Sequence, residues 1–414
     1  MIYLDNASTT RMTEEVLEEM MPYLKDEYGN PGTTYELGRN AKEAVEKARR
    51  RVADFMGANP ENIIFTSGGT ESNNTIVKSF TKTQNKMLIS RIEHDSILRS
   101  AGVTLDWGPK STDKIKMLGV NEAGIIDMDE FYRDIETGSF GFVSVMYMNN
   151  ETGMIQPIHD IYNLCKDKGI WVHSDCVQAA GCLKLNVGEF CDSASISAHK
   201  IHGPKGVGAL YVKDLNRFPF SPMIYGGHSQ EFGYRGGTEN VPGIVGLGKA
   251  CDIINSNEEI TFSQIKSRKR LMWAVMQKEF ADIGLLDRLH LNCDNLDQFG
   301  KTLSIRIDGV DAETMVILSS IDGVCISAGS ACRSSEQEPS YVLTSMGLTD
   351  DQARNTIRVS VSKYTSVGEI RNGASIIAKN ALRLISMSNG IITHADEKIH
   401  GFNRVDDSPL SSLF

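Results

Sequence analysis

Short apolar, β-rich runs punctuate this chain and alternate with longer amphipathic stretches. Runs at 63–66, 87–90, 143–148, 170–174, 193–197 and 207–212 have strand length. Several are separated by helical segments, as after Gly69 and between His159 and Lys168. Strands alternating with helices predict an α/β unit on a largely parallel sheet. Ahead of it, 2–4 reads as a short strand and 13–24 as a helix with Glu14 and Glu15 in its first turn. A longer helix over 39–56 carries Glu43–Lys47 and Glu46–Arg50 at i,i+4 and stops at Gly57. The stretch 240–280 is helix-dominated and bridges to a second pattern. There, strands at 302–307, 324–327 and 356–361 alternate with helices at 312–320 and from 366 onward. Ser366 and Glu369 match a capping box. The expected organisation is a large domain over 15–258 and a smaller α/β domain formed by 1–14 and 259–388. A polar tail follows over 389–414.

Composition narrows the class. The chain has 414 residues and a net charge of −10, which argues against a broad nucleic-acid or anionic-membrane surface. No basic-then-apolar leader opens the sequence and no apolar run approaches the ~18 residues of a spanning helix. The eight cysteines form no C-x-x-C, so reduced cytoplasmic thiols are expected. The pair His199-x-x-His202 lacks the companion spacing of a zinc site.

Three segments carry chemistry together. Ser67-Gly68-Gly69-Thr70-Glu71-Ser72-Asn73 follows a strand and opens a helix, which suits a phosphate, although the Rossmann and Walker A patterns both fail. Asp175 sits at the C-terminal end of a buried strand, where open α/β sheets bind ligands; a helix N-cap is the plainer reading. Lys200 closes another apolar strand before a Gly/Pro loop, and desolvation there favours a Schiff-base amine over a solvated loop lysine. A phosphate cup, an acid for a pyridinium nitrogen and a lysine for an aldehyde are what pyridoxal phosphate requires. His94, after a further strand, is placed to cover the ring or move protons. Cys332 lies in a small, polar stretch beside Arg333, which suits an exposed thiolate, whereas Cys325 reads as packed. Arg358, within a strand, needs an anion: a substrate carboxylate or an internal salt bridge.

The segments IYLDNASTT, FTSGGTESNN, IEHDSIL, MNNETG, VHSDCVQ, SAHKIHGPKGVGALYV, RGGTENV, SAGSACRSSEQEPSYVL and TIRVSVS resemble cysteine desulfurases of the NifS/IscS type. These are class V, fold-type I pyridoxal phosphate enzymes, and the likeness runs from about residue 2 to 362. It implies a cofactor bound covalently at Lys200, with Asp175 on its ring nitrogen, Gln178 on its phenolic oxygen and His94 stacked on the ring. Gly69, Thr70, Ser197 and His199 would hold the phosphate, with Thr238 supplied across a homodimer interface. Asn150 and Arg358 would position the carboxylate of L-cysteine. Cys332 would take the sulfur as a persulfide, release alanine and pass the sulfur to an acceptor or scaffold protein; it would also be able to ligate a transferred Fe–S cluster. Iron–sulfur assembly, tRNA thiolation and DNA phosphorothioation are all destinations in the family. Departures are Cys176-Val177 for a usual Ala-Thr, Tyr35 for a usual His and Ser335-Glu336 for a usual Gly-Ser. A selenocysteine lyase, another class V enzyme and a catalytically silent sulfur-transfer scaffold are the alternatives.

Overall fold

The computed structural model describes residues 1–105, 108–227, 230–293, 296, 300–329 and 338–388. Its strands are β1 (Ile2–Tyr3), β2 (Ile63–Thr66), β3 (Lys86–Ser90), β4 (Ile115–Leu118), β5 (Phe140–Ser144) and β6 (Trp171–Asp175). They continue with β7 (Ser193–Ser197), β8 (Gly208–Val212), β9 (Leu289–Leu291), β10 (Thr302–Ile307), β11 (Val324–Cys325) and β12 (Thr356–Ser360). The main sheet has seven strands in the order β2-β8-β7-β6-β5-β3-β4. Only β8 runs against its neighbours; all other pairs are parallel. Helices cover both faces, so β2, β6, β7 and β8 are buried along their whole length. Their near-continuous apolar runs follow from that burial.

Parallel pairing brings the carboxyl ends of β2, β3, β5, β6 and β7 to one edge. Asp175 pairs with Ser195 and Ser144 with His173, so the loops leaving these strands open side by side. Two of the departures from the sequence expectation have plain causes. The strand expected over 143–148 ends as a ladder at Ser144, although Val145 and Tyr147 still donate to the carbonyls of His173 and Asp175 at 3.2 and 3.0 Å. Beyond Asp175 the neighbouring strand has ended, and the chain turns back through a bridge between Met148 and Ile155. Strand β4 escaped the apolar pattern because Lys116 interrupts it; that lysine pairs with Asp134 and Glu130 at the sheet edge.

The smaller unit has an antiparallel sheet, β12-β10-β9, and a two-stranded parallel pair, β1-β11. Its core joins Leu4 to Met272, Phe280, Ile305, Met315, Ile357 and Ile377. The N-terminal arm is tied in further by a bridge between Asp5 and Ser360. The capping box at Ser366 forms: Glu369 N–H donates to Ser366 Oγ at 3.1 Å, and Ser366 N–H to Glu369 Oε2 at 2.8 Å.

One buried ion pair locks the loop that carries Thr238. Glu231 and Phe232 adopt positive φ angles of 40° and 57°, which L-residues reach only under constraint. The constraint is Arg49, whose guanidinium donates to both Glu231 oxygens at 2.9 and 2.8 Å and to the Ile63 carbonyl at 2.8 Å. Phe65 N–H donates to the same carboxylate at 2.7 Å. Arg49→Ala leaves that carboxylate buried with an uncompensated charge, and the expected loss is about 3–5 kcal/mol of folding stability. A denaturant titration checks it; an unchanged midpoint would assign the pair no such role.

Candidate active site

At the end of β2 the backbone is shaped for an anion. Gly68 has φ 149° and ψ −179°, a conformation only glycine reaches without strain. The helix Gly69–Thr81 begins at once, and a Cβ on Gly69 would lie 2.6 Å from Val177 Cγ2. Helix N–H groups and macrodipole therefore face a cavity of about 250 Å³ whose walls include Gly69, Thr70, Ser197 and His199. His199 Nδ1 lies 3.1 Å from Thr9 Oγ1. Burial, then the neighbouring Lys200, Lys301 and Lys205, lowers its pKa to about 4, so it is neutral at pH 7.

The other end of the cavity is acidic. Asp175 ends β6 with its carboxylate accepting from Asn73 Nδ2 at 2.7 Å and from Val177 N–H at 2.9 Å. Asn73 also donates to Ser96 Oγ at 2.9 Å, and its Oδ1 lies 3.1 Å from His173 Nε2. Burial holds His173 neutral, with its pKa lowered to about 3. Ser96 in turn fixes His94, whose Nδ1 accepts from Ser96 N–H at 3.1 Å. One amide thus sets the orientation of both the acid and, through a serine, the histidine.

Lys200 lies between these ends, in the 3-10 turn Ala198–Lys200 that follows β7. Its Nζ donates to the carbonyls of Ala7 and Ser8, both at 2.7 Å. The arm holding those carbonyls is pinned by Ala7 N–H to Ser360 Oγ at 2.8 Å and by Arg358. Arg358 reaches Asp5 Oδ1 at 3.0 Å, Ser8 Oγ at 2.6 Å and the Asn150 carbonyl at 3.0 Å, so the internal salt bridge exists and the arginine still lines the cavity. Its Nε is buried without a partner among the described residues, as is Gln178 Oε1, whose Nε2 donates to the Ala7 carbonyl at 2.9 Å. Both residues line the cavity, and buried polar atoms are ordinarily paired.

Gly69, Thr70, His94, Asn150, Asp175, Gln178, Ser197, His199, Lys200 and Arg358 all line this cavity. Thr238 does not; it is exposed, in a loop where Arg235 bonds Glu71 at 3.1 Å. Cys332 and the tail 389–414 lie outside the described residues. Cys176 is fully buried in the core and absent from the cavity lining; Val177, its neighbour, packs there against Gly69. Cys325, expected to be packed, is only half-buried, with Sγ 3.3 Å from Met1 Sδ. His199 and His202 face the N-terminal arm separately, His202 through the Arg11 carbonyl at 2.9 Å. Sequence reasoning passed over Asn73, Ser96, Ala7 and Ser8, although all sit inside segments rich in small polar residues.

A family model described as aminotransferase class-V matches residues 2–372. The chain belongs to the class-V aminotransferase family. Within it, the chain is 38% identical to the cysteine desulfurase of Trichormus azollae over 391 residues, 94% of each chain. It is 34% identical to cysteine desulfurase IscS of Methanosarcina thermophila, covering 94% of this chain and 93% of that one. Among solved structures, a NifS-like protein superposes with a TM-score of 0.80 at 32% identity, over 92% of this chain and 99% of that one. A structure described as SspA in complex with cysteine gives 0.71 at 30% identity, over 88% and 100%. The α/β fold-type I architecture of this class V member follows from the parallel sheet and these neighbours. No helix among the described residues is long and apolar enough to cross a membrane.

Proposed function

We propose that this chain is a pyridoxal phosphate-dependent cysteine desulfurase, converting L-cysteine to L-alanine and a persulfide on Cys332. The observation that carries the reading is a single cavity with Lys200 set between a helix N-terminus and buried Asp175. The residues fit the cofactor. The Gly69 helix with Thr70, Ser197 and His199 would hold its phosphate, Asp175 its ring nitrogen, Gln178 its phenolic oxygen and Lys200 its aldehyde. When bound, the cofactor supplies an electron sink that loosens the bonds at the substrate's Cα and Cβ.

The chain's own groups do the rest. Arg358 and Asn150 orient the cysteine carboxylate, and Lys200 Nζ takes the Cα proton. His94, held through Nδ1 by Ser96, would cover the ring and assist proton transfer. Cys332, as thiolate, forms a sulfur–sulfur bond while the substrate Cβ–S bond breaks. The Cβ–S electron pair stays on carbon, which takes up a proton, so cysteine plus thiol gives alanine plus persulfide. The persulfide goes to an acceptor or scaffold protein, and the enzyme acts as a homodimer in which the partner supplies Thr238. Iron–sulfur assembly, tRNA thiolation and DNA phosphorothioation are the candidate destinations, in a cytoplasmic setting. The domain division, 15–258 against 1–14 with 259–388, belongs to the same proposal. It is supported by separate apolar clusters, although Tyr341 and Val342 pack on the larger unit.

Arg358→Ala tests the substrate assignment. A lost charge-assisted bond of roughly 1.5–3 kcal/mol predicts a KM for cysteine raised about 10- to 150-fold, with kcat changed less. Steady-state kinetics check it, with a melting curve to account for the lost Asp5 contact. An unchanged KM would make Arg358 purely structural.

A further inference from the structure

We propose that Glu93 is kept as a neutral carboxylic acid behind the cavity, so that it adds no second charge behind Asp175, the acid a ring nitrogen would meet. Glu93 is then a positioning residue that acts through Asp175, and its link to the cofactor rests on the function proposed above.

Glu93 follows β3, immediately before His94, and is completely buried. Its side chain crosses to the carboxyl end of β5. There Oε1 accepts from Met146 N–H at 2.5 Å and Oε2 lies 3.3 Å from Ser144 Oγ. Asp175 accepts from the Asn73 amide and Val177 N–H. Every one of these four donors is uncharged. A fully buried carboxyl that meets only neutral donors, with a second carboxylate near enough to repel it, is more stable with a proton. Asp175 lines the cavity and can meet a ligand's charge, whereas Glu93 is closed off behind it. Burial first, and the charge of Asp175 second, raise the Glu93 pKa to about 8. With Met146 N–H on Oε1, the proton belongs on Oε2. From there it donates to the Ser144 hydroxyl, which reverses its role from donor to acceptor.

Among the other ionisable groups, Asp95, Glu151, Lys200 and Arg358 line the same cavity as Asp175. Tyr341, from the helix Tyr341–Ser345, donates to the Glu93 carbonyl at 2.6 Å and to Asp95 Oδ1 at 3.1 Å. His94 and Asp95 follow on the same segment, with His94 turned to Ser96. None of these contacts places a cation on the Glu93 carboxyl.

Infrared spectroscopy of the full chain, with and without cofactor, decides the matter. At about pH 6.5 the wild type should show a buried carboxylic-acid carbonyl band that Glu93→Gln lacks, and the wild-type band should fade as pH rises through about 8. Glutamine copies the neutral acid, so Glu93→Gln should bind pyridoxal phosphate within about threefold of wild type at that pH. It should also lack whatever change in cofactor affinity the ionisation of Glu93 produces in wild type as pH rises through about 8, a readout that a merely space-filling role would not move. A wild type without the band would overturn the proposal. So would a band that persists in Glu93→Gln, or a folded Glu93→Gln whose cofactor affinity falls more than about tenfold. Should that variant fail to fold, the wild-type pH titration of the band still decides. A protein that binds no cofactor, yet shows the band assigned to Glu93, would refute the cofactor reading while upholding the neutral acid.

Discussion

Replacing Lys200 with alanine should end alanine and sulfide formation, with a rate loss of at least about 10³-fold. Among the described residues lining the cavity, no residue other than Lys200 supplies a primary amine. Its amine is delivered by a tight turn at the end of β7 and steadied by the carbonyls of Ala7 and Ser8. His199 is neutral and turned to Thr9, and the guanidinium of Arg358 is engaged by Asp5, Ser8 and Asn150. Neither can supply an aldehyde-binding amine. Borohydride reduction followed by peptide mass analysis separates the outcomes. The wild type should carry trapped cofactor on the Lys200 peptide; Lys200→Ala should carry none while still binding cofactor non-covalently. A variant that keeps wild-type turnover would remove Lys200 from the chemistry.

Asp175→Ala should be nearly as damaging, with kcat reduced roughly 10²- to 10³-fold, the range for losing one preorganised electrostatic group. The substitution also strips an acceptor from Asn73 Nδ2 and Val177 N–H inside the protein. Each orphaned donor costs about 1–3 kcal/mol, so stability falls too. Asp175→Asn separates the effects, because it keeps the shape and removes the charge. Cofactor affinity and kcat should both remain low in Asp175→Asn, while its melting temperature recovers toward wild type. Recovery of kcat as well would assign Asp175 a packing role only.

How far the site could be read in advance depended on side chains that announce themselves. Lys200 and Asp175 each close a strongly apolar strand, and a charge at such a place has few structural uses. The glycines at 68 and 69 were legible for the same reason: the chain turns there in a way other residues resist. What the pattern hid was made of backbone and neutral polar groups. The carbonyls of Ala7 and Ser8 have no residue signature, and they reach Lys200 only after β1 joins the far end of the chain beside β11. Asn73 looked like one more residue of a phosphate loop, yet it sits one helical turn inside and orders Asp175, His173 and Ser96. Glu93 was masked by the histidine after it. Strand ends were misjudged where apolar sequence outruns its partner, as at 145–148, and where a lysine breaks an edge strand, as in β4.

Sulfur accounting with the purified protein tests the central claim most directly. After incubation with L-cysteine and no acceptor, alanine should appear, together with a Cys332 peptide carrying one additional sulfur atom. Cys332→Ala should bind cofactor normally and yield neither alanine nor sulfide at the wild-type rate. Cofactor-loaded wild type that releases no alanine from cysteine, or alanine formation that is undiminished in Cys332→Ala, would contradict the account.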